Sequence, residues 1–191
     1  MATSLIMQVT LLTLLFSGSL SARELPPPAY QLAARQADIP SAVLYAVTLQ
    51  ESGIRLRGKL IPWPWTLNVA GIPERYSNRI EACVGLQRAL KRVPAKRVDV
   101  GLGQINVGYQ SQHFDHPCEL LNPYRNLKIA ATLLREQHVP GENWVIAIGR
   151  YHRPAGGAPA ESYRRSVQKH LARVLGNGTD ASLTLTKVSS P

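Results

Sequence analysis

The run from Ile39 to Gly53, IPSAVLYAVTLQESG, most restricts what this chain can build, because it is apolar almost throughout and ends on the carboxylate of Glu51. It reads as one helix, with Asp38 as the N-cap, Pro40 in the first turn and Gly53 as a left-handed stop. Leu44, Val47 and Glu51 follow i, i+3, i+7 spacing and share one face. A carboxylate at the end of an apolar stripe loses solvation, which favours its neutral form and raises its pKa. A general acid working near neutral pH needs such a shift. The plainer alternative is a frayed last turn that leaves Glu51 in water.

Helical periodicity recurs downstream. Residues from Ser77 to Arg92 put Ile80, Val84, Gln87 and Leu90 on one side, with Cys83 beside them. Asn126 to His138 aligns Leu127, Ala130, Ala131 and Leu134. Asn143 to Tyr151 aligns Trp144, Ala147, Ile148 and Tyr151, and Glu161 to Leu175 aligns Val167, Leu171 and Val174. Only the stretch Ile61 to Gly71 breaks this pattern; two prolines and alternating apolar residues make it extended and hairpin-like. The expected class is mainly α with a small β element.

The apolar run Leu5 to Leu20, followed by small residues, fits a secretory signal cleaved near Ser21, with a retained membrane anchor as the alternative. The residues after Gly176 are small, polar and aperiodic, and are expected to be disordered. The two cysteines, Cys83 and Cys118, suit a disulfide in an exported protein; two separate thiols remain open. A net charge of +10 points to an anionic partner, carried by Arg88, Lys91, Arg92, Lys96 and Arg97 and by Arg164, Arg165, Lys169 and Arg173. These clusters lack aromatic interleaving or a nucleic-acid motif, so no specific nucleic acid is indicated, and two solvated basic helix faces are the plainer reading.

A second signature is Asp99 to Asn106, DVGLGQIN. Gly101 and Gly103 allow backbone to approach a ligand, and Gln104 and Asn106 supply amides suited to a hydroxyl- and acetamide-rich molecule. Trp63 and Trp65 offer faces for sugars, although core packing is the commoner role. Tyr151 is a third candidate if its hydroxyl points at a cleft, although alone such a tyrosine is more often a core residue.

Taken together these pieces resemble the soluble lytic transglycosylases, lysozyme-like enzymes that cut bacterial peptidoglycan. The matching elements are Glu51-Ser52-Gly53 ending a helix, Gly101-Leu-Gly-Gln-Ile105, Asn126-Leu127, Gly149-Arg-Tyr-His-Arg153 and Tyr163 to Val167, in order. The Pro62-Trp-Pro-Trp-Thr-Leu-Asn-Val-Ala-Gly71 segment is similar to the subgroup encoded with conjugation, type IV secretion or pilus systems. Gly103 stands where the family has methionine, and His152 where it has asparagine.

The resemblance implies a lysozyme-like α-helical domain over residues 22–175, between a signal peptide at 1–21 and a disordered tail at 176–191. It implies a periplasmic lyase with Glu51 as acid and base, and substrate contact through Gln104 and Tyr151. Thr66 or Asn68 is the counterpart of the serine that bonds the family's carboxylate. The implied partners are peptidoglycan glycan strands and envelope-spanning secretion or pilus proteins, with no cofactor.

Three competitors are open. A hydrolytic muramidase needs a second carboxylate facing Glu51, with Asp99 and Asp115 as candidates, although Asp99 can serve simply to organise the glycine turn. A non-catalytic basic wall- or DNA-binding subunit needs no acid at position 51. His113, His116 and Cys118 raise a metal site, but make a poor tetrahedral set.

Overall fold

A computed structural model describes residues 23–176. The proposed signal peptide and almost all of the tail lie outside the described residues. Six α-helices are present there: α1 (Pro28–Gln36), α2 (Ser41–Ser52), α3 (Arg79–Arg92), α4 (Pro123–Glu136), α5 (Trp144–His152) and α6 (Ala158–Leu175). Six short strands accompany them, so the class is mixed rather than simply mainly α.

Helix α2 is the centre of the molecule. Every residue from Ala42 to Leu49 is buried, as expected for a helix that is apolar all round, and it packs against α1 and α6. Its ends differ from the sequence expectation. Asp38 takes a left-handed backbone (φ 53°) and Pro40 occupies the N-cap without a side-chain bond. Gly53 is not a left-handed stop: at φ −59° and ψ 133° it carries the chain straight into strand β1. A Cβ there would come within 2.3 Å of the Leu49 carbonyl oxygen, so glycine is required for this tight exit.

Three of the remaining helices begin at polar caps, whereas α1 and α6 start at Pro27 and Gly157 without a side-chain bond. Asn78, Asn122 and Asn143 accept backbone N–H bonds at the starts of α3, α4 and α5. Asn126, expected to open a helix, lies one turn inside α4. The apolar faces of α4 and α6 follow their periodicity, but α3 turns differently. It buries Ala82, Gly85, Leu86 and Ala89 and leaves Ile80 79% exposed.

Strands β1 (Gly53–Leu56) and β2 (Lys59–Pro62) form a two-stranded antiparallel hairpin closed by left-handed Arg57 and Gly58. A second antiparallel sheet has the order β4-β3-β5-β6, from β3 (Thr66–Val69), β4 (Ile72–Arg75), β5 (Val98–Val100) and β6 (Ile105–Asn106). The stretch Ile61 to Gly71 is therefore not one hairpin. It ends β2, crosses Trp63-Pro64-Trp65, supplies all of β3 and enters the turn to β4. Strands of two to four residues are too short for alternation to register against loops.

Cys83 on α3 is disulfide-bonded to Cys118 in the short 3-10 turn Pro117–Leu121, with Cα atoms 5.3 Å apart. That bond fits an oxidising compartment. Among the described residues no helix is long and apolar enough to cross a membrane.

Candidate active site

Glu51 occupies the last turn of α2, where that helix meets the first residue of α6's apolar stripe. The Tyr163 hydroxyl donates to Glu51 Oε1 at 2.5 Å. The carboxylate is partly sheltered, and loss of solvation pushes its pKa up to about 7. The Tyr163 hydrogen bond acts in the opposite direction, while the negative charge of Asp99 adds to the rise. Tyr163 is itself buried, and burial beside the Glu51 charge lifts its pKa well above the ordinary phenol value. It therefore stays a neutral donor through the physiological range.

The glycine turn between β5 and β6 is bound directly to the end of α2. The Ser52 hydroxyl lies 2.9 Å from the Leu102 carbonyl and 3.1 Å from that of Thr48, so it ties the helix to the turn. Asn126, fully buried on α4, holds the other side. Its amide donates to Val100 O at 2.8 Å and Leu120 O at 2.9 Å, and its oxygen accepts from Gly103 N at 2.8 Å. Gly101 adopts φ +80°, and a Cβ on it would strike the Asn126 amide at 2.3 Å. The turn needs glycine for both backbone and space.

The side chains proposed for substrate divide into two groups. Tyr151, at the end of α5, stands beside the acid: its phenol pKa is raised first by burial and then by the charges of Glu51 and Asp99. Its hydroxyl donates to Gly103 O at 2.7 Å. Gln104 has a left-handed backbone (φ 47°), and its amide donates to Gly101 O at 2.8 Å and Thr66 O at 3.3 Å. A left-handed non-glycine residue in a turn of this kind is a candidate functional strain.

Thr66, Asn68 and Asn106 are engaged elsewhere. Thr66 is buried and donates to Trp63 O at 2.9 Å. Asn68 Oδ1 accepts from Gly71 N at 2.8 Å and closes the β3–β4 turn. The partner that the structure gives the Glu51 carboxylate is Tyr163, so neither Thr66 nor Asn68 takes the serine's place. Asn106 donates to Asp99 Oδ1 and Lys96 O, and accepts from the backbone of Gly108 and Tyr109. It is the organiser of the β5–β6 corner rather than a free ligand group.

Asp99 belongs to the site electrostatically. Burial raises its pKa, the Asn106 bond opposes that, and its charge acts on both Glu51 and His152. Asp115 is exposed, and nothing connects it with Glu51. His152 follows Tyr151 and lies flat on the Tyr163 ring, with centroids 4.4 Å apart and planes inclined by 3°.

Other candidates fall outside this cluster. Trp63 and Trp65 meet edge to face at 5.4 Å, and the Trp63 N–H donates to Tyr76 O. Cys118 is committed to the disulfide, and no group of three or more His, Cys, Asp and Glu gathers as a metal site among the described residues. A cleft of about 700 Å³ between α1 and α4 and one of about 500 Å³ beside Tyr76 and α3 are lined by other residues. Arg88, Lys91 and Arg92 form an exposed basic face of α3, and Arg165 and Lys169 one of α6.

Sequence reasoning passed over Tyr163 as the acid's partner and Asn126 as the node of the glycine turn. Each carried a signal: a phenol at the head of the stripe Tyr163, Val167, Leu171, Val174, and an amide among Leu127, Ala130 and Ala131. No family model, curated protein or solved structure matches the chain.

Proposed function

We propose that the protein is a peptidoglycan lytic transglycosylase with a lysozyme-like fold, exported to the periplasm. There it would open the wall for a secretion, conjugation or pilus machine. The observation that carries the reading is the partly sheltered Glu51, bonded to Tyr163, with its pKa pushed up to about 7. Such an acid holds its proton near neutral pH and can take it back, which is what a one-carboxylate cleavage requires.

The step balances without water. Glu51 gives its proton to the oxygen of the β-1,4 bond between N-acetylmuramic acid and N-acetylglucosamine, and the bond from that oxygen to the anomeric carbon breaks. The muramoyl C6 oxygen then bonds to the cationic anomeric carbon, and its proton passes to the Glu51 carboxylate. The products are a 1,6-anhydro sugar end and a free hydroxyl on the departing strand. Tyr163 supplies a neutral hydrogen bond to Glu51 in both protonation states, and Tyr151 and Gln104 flank the turn beside it. The basic faces suit the carboxylates of peptide stems.

A second reading has one specific observation in its favour. Asp99 influences Glu51 electrostatically, so a two-carboxylate hydrolysis is the competing chemistry. Mass spectrometry of digested cell wall separates the two. Products one water lighter than hydrolytic fragments support the transglycosylase, and full-mass muropeptides support hydrolysis. Cleavage of either kind that survives Glu51→Gln would remove Glu51 from the mechanism and with it this assignment.

A further inference from the structure

We propose that His152 is a positioning residue: its imidazole, stacked on Tyr163, holds the phenol so that the hydroxyl stays on the Glu51 carboxyl. This rests on the reading of Glu51 as the acid of the site. Tyr163 is tethered to the acid through its hydroxyl. A single 2.5 Å bond to Glu51 fixes the position of its oxygen, but not the tilt of the ring about that point. The ring belongs to α6, whereas Glu51 belongs to α2, so small movements of the two helices pull the bond apart.

His152 supplies the missing restraint from a third element. It ends α5, a helix packed on α6, and its ring lies within 3° of parallel to the phenol at 4.4 Å. A coplanar neighbour blocks tilt toward its own side, and Tyr163 is otherwise a buried member of the core. Tyr151, the residue before His152, is bonded to Gly103 O, which anchors this end of α5 to the glycine turn. One short segment thus braces both tyrosines at the acid.

The charged groups around His152 agree with a neutral, packing role. Although the residue as a whole is exposed, partial loss of solvation and the adjacent Arg153 hold its pKa below the ordinary histidine value, against the pull of the Asp99 carboxylate. The imidazole is therefore mainly neutral while Glu51 exchanges its proton near pH 7.

The test follows the Glu51 carboxyl by carbon-13 NMR titration of the full protein, with the resonance assigned through Glu51→Gln. Tyr163→Phe removes a hydrogen bond that favours the ionised form, so the Glu51 midpoint rises by about one unit. His152→Ala shifts it in the same direction by about half a unit, His152→Phe keeps the stack and restores it, and His152→Ala adds nothing on top of Tyr163→Phe. In wall cleavage His152→Ala lowers kcat about fivefold with KM held.

Three results overturn the proposal: a midpoint that stays put in His152→Ala, one that falls because water alone has entered, or a shift that adds fully to that of Tyr163→Phe. An unshifted midpoint in Tyr163→Phe overturns it too, since no phenol bond would then be there to hold. The titration needs no substrate. A chain that behaves as described but cuts no glycan strand sinks the enzymatic reading while leaving this coupling in place.

Discussion

The Tyr163 hydroxyl and the Glu51 carboxyl, 112 positions apart in the chain, meet at 2.5 Å across the α2–α6 contact. That contact shelters a titrating acid, whose loss of its proton with rising pH bears on both activity and stability. Under the proposed function Glu51 donates only while protonated, so wall cleavage is expected to fall as pH rises through about 7, and a pH–rate profile reads this limb.

Stability follows the same group in the same direction. The folded-state pKa of about 7 lies above the ordinary 4.5, so the native state binds the proton more tightly than the unfolded chain. Its contribution is therefore largest below pH 4.5 and declines as pH rises to 7. Glu51→Gln removes that loss, and urea unfolding at pH 8 finds the variant more stable than wild type by on the order of 2 kcal/mol. At pH 4 the two are nearly equal.

Gly103 sits in the glycine turn, closely packed against α4 and Tyr151. A Cβ there would come 2.6 Å from Ala130 Cβ and 3.0 Å from the Tyr151 hydroxyl. The tyrosine oxygen and α4 thus occupy the room a side chain would need. Gly103→Ala costs about 1–3 kcal/mol by thermal unfolding, Gly103→Met more, and both displace the Tyr151 bond to Gly103 O.

Asn126 bonds three backbone groups from the region of the glycine turn with one buried amide. Asn126→Ala strands two carbonyls and an N–H, which costs on the order of 3 kcal/mol or more in chemical denaturation. Asn126→Asp keeps the acceptor for Gly103 N but sets an anion against the Val100 and Leu120 carbonyls. It is expected to be at least as damaging, and to recover partly in acid as the carboxyl protonates.

The disulfide ties α3 to the turn that leads into α4, and the Arg79 guanidinium donates to Cys118 O beside it. Paired Cys83→Ser and Cys118→Ser substitutions lower stability by about 3 kcal/mol, seen as a drop in Tm. Glu51 is remote in sequence and on another helix, so its titration midpoint stays unchanged in the same variant.

Much of the helical scaffold was legible before any coordinates. The apolar identity of α2, the stripes of α4 and α6 and the carboxylate at the end of α2 all follow from spacing within one segment. The face of α3 was not legible, because its large residues mislead. Ala82, Gly85 and Ala89 are small enough for close approach, and a Cβ at Gly85 would sit 2.1 Å from the Tyr76 hydroxyl. Ile80 and Val84 are left outward by that choice of partner.

Local pattern also identified the glycine turn as chemically special, yet not the work of its amides. Asn106 and Asn68 read as free ligand groups because hydrogen-bond partners several residues away leave no mark on composition. Sequence alone indicated the helical segments that became α2 to α6, though not α1, and which acid ends the buried one, since periodicity and solvation are properties of short stretches. Tertiary structure alone decided that Tyr163, Tyr151 and Asp99 gather at that acid, with His152 stacked on Tyr163. Their effect on its proton depends on distances set when α2, β5, α5 and α6 pack together, and no spacing along the chain encodes them.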